Sequence, residues 1–163
     1  MALFGSTRDI NLMKSVSREF MEDIVSQQVG YYKVVLDSTQ SNVYGEAINK
    51  YFVGPVLLYC LIVREDFAPN QENFGRNVSR GVDFRFLRDH LVDANVYPEI
   101  GDIIMYNELY YEVDNVNENQ LILGKDNAYA YSTGLENFGS SYSIILNTHY
   151  TAGEALGITK IIP

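Results

Sequence analysis

His90, in the run Arg88-Asp-His90, and His149 are the side chains of this sequence that change charge nearest neutral pH. Beside a carboxylate, either could serve as a general base or as part of a metal site. Asp83 with Asp89, or Glu108 with Glu112, could divide the roles of acid and base. The spacing does not sharpen these options. The two histidines lie far apart, without the cysteine or carboxylate intervals that mark a metal site. With 21 acids in 163 residues, pairs of carboxyls arise by chance. A solvated or capping His90 at a helix end is the simpler reading. Cys60, the lone cysteine, sits in the apolar run Val56-Leu-Leu-Tyr-Cys-Leu-Ile-Val63 and reads as an inert core thiol. No Walker loop, Gly-x-Gly-x-x-Gly or Gly-x-Ser-x-Gly pattern occurs. The residues therefore predict no catalytic site, no metal and no cofactor, and the chain is not expected to be an enzyme.

The elements that would position these side chains are mostly strands. The central stretch is Val96 to Val116. Gly101-Asp102 starts one strand after Pro98, Asn107-Glu108 forms a tight turn, and a second strand follows. In that second strand Tyr111, Val113 and Asn115 share one face, and Tyr110, Glu112, Asp114 and Val116 share the other. Further strands are expected at Tyr31–Leu36, Val56–Arg64, Val82–Phe86, Gln120–Gly124 and Ser141–Tyr150, the last with Ile144 and Leu146 inward. Val56–Arg64 is apolar on both faces, which predicts a central strand. Gly54-Pro55 reads as punctuation before it. The stretch from Tyr44 to Phe52 is either loop or a turn of helix.

Ahead of the strands, Ile10, Met13, Phe20, Ile24 and Val25, with Val16 at the seam, fall at helical spacing from Ser6 to about Gln27, and Gly30 is expected to end the helix. Packing of that apolar side on the chain's own barrel is the simpler expectation, and docking on a neighbouring subunit is the alternative. A short helix is expected over Leu87–Ala94, with Leu87, Leu91 and Ala94 on one side, and a helical turn over Thr151–Leu156. Glu65 to Gly81 reads as a long loop. Its Phe67, Phe74, Arg76 and Arg80 are residue types favoured at protein interfaces. The expected class is mainly β: a small antiparallel β-barrel or sandwich with an N-terminal α-helix, one short internal helix and a long loop. One domain spans 1–163, with a helical arm at 1–29 and a barrel core at 30–163 that carries the loop at about 65–81.

Composition narrows the partners. The chain is 47% hydrophobic, carries 13 tyrosines and has a net charge of −9. Residues 91–163 hold Lys125 and Lys160 against ten acids, a net −8. That half lacks the basic stripe needed to grip nucleic acid. The N-terminus lacks a signal peptide's apolar core, and no apolar run approaches spanning length, so a soluble protein of a reducing compartment is expected. Tyrosine suits strand faces and half-wet contact surfaces. Tyr110, Tyr129 and Tyr131 are contact candidates on that ground, as are Met13 and Phe20 on the helix.

The order of segments resembles a known family. An N-terminal helix precedes Tyr44-Gly-Glu46. Gly54-Pro-Val56 then leads an apolar strand, followed by Gly101-Asp-Ile-Ile-Met-Tyr106, Tyr110-Tyr-Glu-Val-Asp-Asn-Val116 and Leu121-Ile-Leu-Gly-Lys125. This is similar to the neck proteins of myovirus-type tailed bacteriophages, the head-completion or head-to-tail connector proteins. The likeness covers about residues 31–125. It implies a β-barrel subunit of a homo-oligomeric ring in the virion neck, assembled in the host cytoplasm, that completes the DNA-filled head and offers a docking surface to the tail. It implies portal-side connector proteins and tail-end proteins as partners, no membrane, no enzymatic activity and no cofactor. DNA would pass through such a ring without sequence-specific binding, and Glu108, Glu112, Asp114 and Glu118 are the acids expected to face the channel. A tail-terminator or tail-completion ring stays open as an alternative. So does a small β-barrel enzyme or ligand-binding domain with a pocket near Asp83–His90.

Overall fold

Alternation of large apolar and polar residues sets most of the strands. In Val82-Asp-Phe-Arg-Phe86 the first, third and fifth side chains are buried, while Asp83 and Arg85 turn away. The computed structural model describes residues 7–35, 40–41, 47–64, 70–72, 75–77, 81–121 and 141–156. Helix α1 (Thr7–Glu19) continues into a wider turn, Phe20–Val25, closed by Ser26 N–H donating to the Met21 carbonyl at 2.9 Å. Ser26 is left-handed, with φ 47°, so the helix stops there. Gly30, expected to end it, lies inside a strand instead. A Cβ at Gly30 would come within 3.3 Å of both the Met105 and Pro55 side chains. Its missing side chain makes room for packing across the sheet.

The strands are β1 (Gln28–Val34), β2 (Gln40–Ser41), β3 (Ala47–Asn49), β4 (Phe52–Tyr59), β5 (Leu61–Arg64), β6 (Asn70–Glu72), β7 (Gly75–Asn77), β8 (Gly81–Leu87), β9 (Ile103–Tyr106), β10 (Leu109–Leu121) and β11 (Ser141–Thr151), with helix α2 (Arg88–Asp93) after β8. Seven of them form one curled antiparallel sheet, a half-barrel, in the order β4-β1-β9-β10-β11-β8-β5. The chain is mainly β, with an N-terminal helix and one further short helix, as the sequence predicts. No helix among the described residues is long and apolar enough to cross a membrane.

Several expectations need correction. Val56–Arg64 is not one central strand. β4 and β5 lie at the two opposite edges of the sheet, pairing with β1 and β8 respectively, and they meet at Cys60. The sheet curls until its edges are joined by one covalent ribbon. Leu58, Cys60 and Ile62 of that ribbon reach the same core as Tyr31, Phe84 and Leu146. Gly54-Pro55 sits within β4 and joins through a cis bond, opposite an irregularity between Tyr31 and Lys33. Two described pieces of the Glu65–Gly81 stretch pair as a short hairpin, β6 with β7. Gln120-Leu121 belongs to β10, which runs on from Leu109 rather than ending near Val116. β10 is bulged against β11 between Val113 and Asn115. The extra residue flips the later side chains, so Val116 packs on the inner core with Tyr111 and Val113 instead of facing away from them.

The Asn107-Glu108 turn is borne out. Both residues have positive φ, 51° and 63°, which is the twist a two-residue hairpin needs between β9 and β10. Ile144 and Leu146 are inward on β11 as expected. A smaller second cluster lies apart from the main core. Tyr32, Ile103 and Tyr110, with Phe52 and Met105 against them, are covered by Leu156 from the single turn Gly153–Leu156. A Cβ at Gly153 would lie 2.8 Å from the Tyr110 ring, so glycine lets that turn lie flat on the tyrosine.

Candidate interaction surface

The apolar side of α1 faces solvent. Leu12, Met13, Val16, Phe20 and Ile24 are all exposed, Phe20 by 47% and Ile24 by 71%. Of the apolar side expected to pack on the chain's own barrel, Ile10 is buried and Val25 half-buried, and the rest is exposed. Ile10, Lys14 and Met21 are the buried residues of the helix. Beside them, ion pairs tie the helix to α2. Lys14 Nζ donates to Asp89 at 3.2 Å, Arg18 to Asp93 at 2.7 Å, and Glu22 lies 2.9 Å from His90 Nε2. The Arg18 hydrogen bond, ahead of the His90 contact, holds the Glu22 carboxyl below its usual range. α2 is only six residues long, and Asp89, His90 and Asp93 line one side of it, so it can bind the helix through side chains three and four apart.

β4 also carries exposed apolar side chains: Val53 and Leu57 are 64% and 65% exposed, and Val56 and, just before the strand, Tyr51 are exposed as well. From Ala47 to Arg64 the sequence holds Lys50 and Arg64 and no acid at all. These apolar side chains do not share one face. Leu57 stands opposite Gly30, on the Tyr32 side of the sheet, while Val56 and Val53 stand opposite Tyr31 and Lys33, on the side of Asp102, and Leu58 alternates into the core.

The wall behind β4 is tied together by Asp102, from the Gly101-Asp102 pair. Its side chain is fully buried, at 0% exposure. One oxygen accepts from Val34 N–H at 2.8 Å. The other accepts from Glu99 N–H at 2.8 Å, from Lys33 Nζ at 3.2 Å and from the Tyr31 hydroxyl. Lys33 also reaches Glu99 at 2.9 Å. Gly101, just before it, holds φ +91°, where a side chain is disfavoured. Thus the Gly-Asp pair has a structural reason: glycine makes the bend, and the buried carboxylate fastens it to β1.

Burial pushes the Tyr31 phenol well above its ordinary pKa, and the hydrogen bond to Asp102 adds to this. Burial also pushes the Cys60 thiol up to about 12. Both groups stay protonated in the fold while the unfolded chain, with a tyrosine near pH 10, would ionise. Above that pH the unfolded state binds fewer protons, so stability falls as pH rises, by up to about 1.4 kcal/mol per unit for each group. Urea unfolding at pH 8, 10 and 11 should show this decline, and Tyr31→Phe should make it shallower. A flat profile in both proteins would contradict it.

The predicted contact residues are scattered. Met13 and Phe20 are on the exposed stripe. Tyr110 is 4% exposed, buried beneath Gly153 and Leu156 of its own chain. Phe67, Phe74, Arg80, Tyr129 and Tyr131 lie outside the described residues, and Arg76 falls on β7. The four acids do not form one row. Glu108 is at the tip of the β9–β10 hairpin. Glu112 is held by Lys50 at 2.6 Å, Asp114 by His149 at 2.7 Å, and Glu118 by Arg88 at 3.4 Å and by the Tyr97 hydroxyl. Sequence reading missed the exposure of Val53 and Leu57, which no local signal marks.

The residues with possible chemistry are engaged separately. His90 is buried rather than solvated, between Glu22 and the Tyr59 ring, 6.0 Å away, and its Nδ1 has no hydrogen-bond partner. Asp83 accepts from Asn147 at 2.6 Å on the sheet, and Asp89 holds Lys14. Among the described residues no three His, Cys, Asp or Glu side chains are grouped to hold a metal.

No protein-family profile matches the chain, and no curated protein matches it. Among solved structures, a chain from a structure described as the virion of a native gene transfer agent particle is similar to it. That chain has 9% identity and a TM-score of 0.44, over 77% of this chain and 94% of the other.

Proposed function

We propose that this chain is a virion structural protein, a neck adaptor that assembles into a homo-oligomeric ring between the DNA-filled head and the tail. The observation that carries the reading is the apolar stripe of α1, turned to solvent by a helix whose other side is fastened to α2. Five large apolar side chains on one exposed face call for a protein partner. The segment order described above supports the location, and the Gly101-Asp102 pair at its centre has a definite role in the wall. A rigid curled sheet with an outlying helix suits a subunit that must reach its neighbours. The net −8 of residues 91–163 would let DNA pass without sticking, because phosphates meet like charge. The role requires no catalytic step and no cofactor. Portal-side and tail-end proteins are its partners on the two faces.

Electron microscopy of the purified protein, alone and on particles that carry it, tests this. A ring class between head and tail is the expected result. A ring found at the end of free tails and absent from filled heads would favour the tail-terminator role. A protein that stays monomeric alone and is absent from particles would overturn both.

A further inference from the structure

We propose that α1 is a strap latched on α2 by ion pairs, one that lifts away as a unit when salt screens those pairs and so uncovers His90. Such a strap needs no second copy, so it stands or falls apart from the ring.

Three pairs join the two helices. Lys14 reaches Asp89 at 3.2 Å, Arg18 reaches Asp93 at 2.7 Å and Glu22 reaches His90 Nε2 at 2.9 Å. Arg18 and Asp93 are exposed, and Asp89 and Glu22 are partly so. Pairs with members in water hold weakly and are screened by salt. The apolar attachment is small. Ile10 and Met21 are buried, but neither belongs to the two apolar clusters that form the core. Leu12, Met13, Val16, Phe20 and Ile24 already face solvent, so lifting the helix exposes little further apolar surface.

The chain has a place to bend. Ser26 ends the helix at φ 47° and is exposed. The next residue, Gln27, is fixed to the sheet, its carbonyl accepting from Cys60 N–H at 3.0 Å. Rotation at Ser26 therefore moves residues 7–25 and leaves β1 in register. α1 has 13 residues, about the length at which an isolated helix is marginal in water, so the lifted strap also loses helix.

The strap covers His90. The imidazole lies buried between Glu22 and the Tyr59 ring, and its Nδ1 has no hydrogen-bond partner among the described residues. A dry nitrogen without a partner is a cost of the closed state alone, because water reaches it when the strap opens.

The two histidines of the chain make the test. The full-length protein is treated with diethyl pyrocarbonate near neutral pH, and modification of each histidine is followed by mass spectrometry. His149 is exposed and serves as the internal reference. Raising NaCl from about 0.05 M to about 1 M, where the screening length falls to about 3 Å, should raise the ratio of the His90 rate to the His149 rate at least tenfold. Lys14→Gln combined with Arg18→Gln changes only the strap, and should give a similar rise already at low salt. In both cases amide exchange should quicken in α1 and stay unchanged in β8 and β11. A ratio that stays level or falls as salt rises would overturn the proposal. Ile10 and Met21 would then be what holds the helix, since this salt does not weaken apolar contact. A ratio that rises only together with exchange in β8 and β11 would also overturn it, because His90 would then be reached by unfolding of the whole domain.

Discussion

Replacing Asp102 with alanine should cost about 3–5 kcal/mol of folding stability, the range for removing one partner from a buried charged network. The carboxylate is fully buried and accepts from two backbone N–H groups, Val34 and Glu99, as well as from Tyr31 and Lys33. Alanine leaves the two N–H groups and the phenol without an acceptor. Each loss of this kind costs about 1–3 kcal/mol where water cannot reach, and not every donor here is fully dry. Lys33 is about a third exposed and can turn to Glu99, so its share is small. In a domain of this size the change should lower the melting temperature on the order of 10 °C. Asp102→Asn should cost less, since it keeps one acceptor oxygen, yet its amide would point donors at donors. Guanidinium unfolding of the two variants and of Tyr31→Phe, with the double variant, measures the coupling. A loss below about 1 kcal/mol for Asp102→Ala would show that water or another side chain takes over, against the range expected from an unmet buried group.

Gly54→Ala should be the other severe change. Gly54 holds φ +147°, and a Cβ there would sit 2.6 Å from the Tyr31 carbonyl oxygen and 3.2 Å from the Tyr32 Cα. Those atoms are backbone, in the strand that pairs with β4, so they cannot rotate aside. Strain in the dihedral and overpacking together should cost about 2–4 kcal/mol. Gly101→Ala is the control. It also stands at positive φ, +91°, but its nearest neighbour is a Glu112 carboxylate oxygen at 4.0 Å, the end of a flexible side chain. It should therefore show the dihedral cost alone, about 1–3 kcal/mol. Thermal unfolding of the two proteins makes the comparison, and equal losses would mean that β1 and β4 separate to accept the methyl group.

Asp102 also illustrates why the centre of the site was only half legible. Gly101-Asp102 was recognisable as the start of a strand, and Asn107-Glu108 as a turn, because each is decided within a few residues. The partner that gives Asp102 its role, Tyr31, is 71 residues away. Nothing local says that a carboxylate after a glycine will be dry. His90 is a similar case. By its neighbours in sequence it is a polar residue on a short helix, yet α1 folds across it and removes it from water.

The exposed patches were legible in composition and not in direction. The helical spacing of Met13, Val16, Phe20 and Ile24 is plain in the sequence, as is the apolar run from Phe52 to Val63. Which way each would face was not. An apolar helix face and an apolar strand both read as core, because burial is the common fate of such residues.

By itself the sequence determined the mainly β class, the N-terminal helix, the β9–β10 hairpin, the alternation in β8 and β11, and the concentration of acid after residue 90. All of these depend on period, turn chemistry or counting. Tertiary structure alone decided that Val56–Arg64 would divide at Cys60 between two sheet edges, that a bulge after Val113 would return Val116 to the core, and that α1 would lie on α2 through ions with its apolar side outward. The physical reason is common to all three. Each outcome depends on which distant segment pairs with which and in what register, and that is not written in any local pattern.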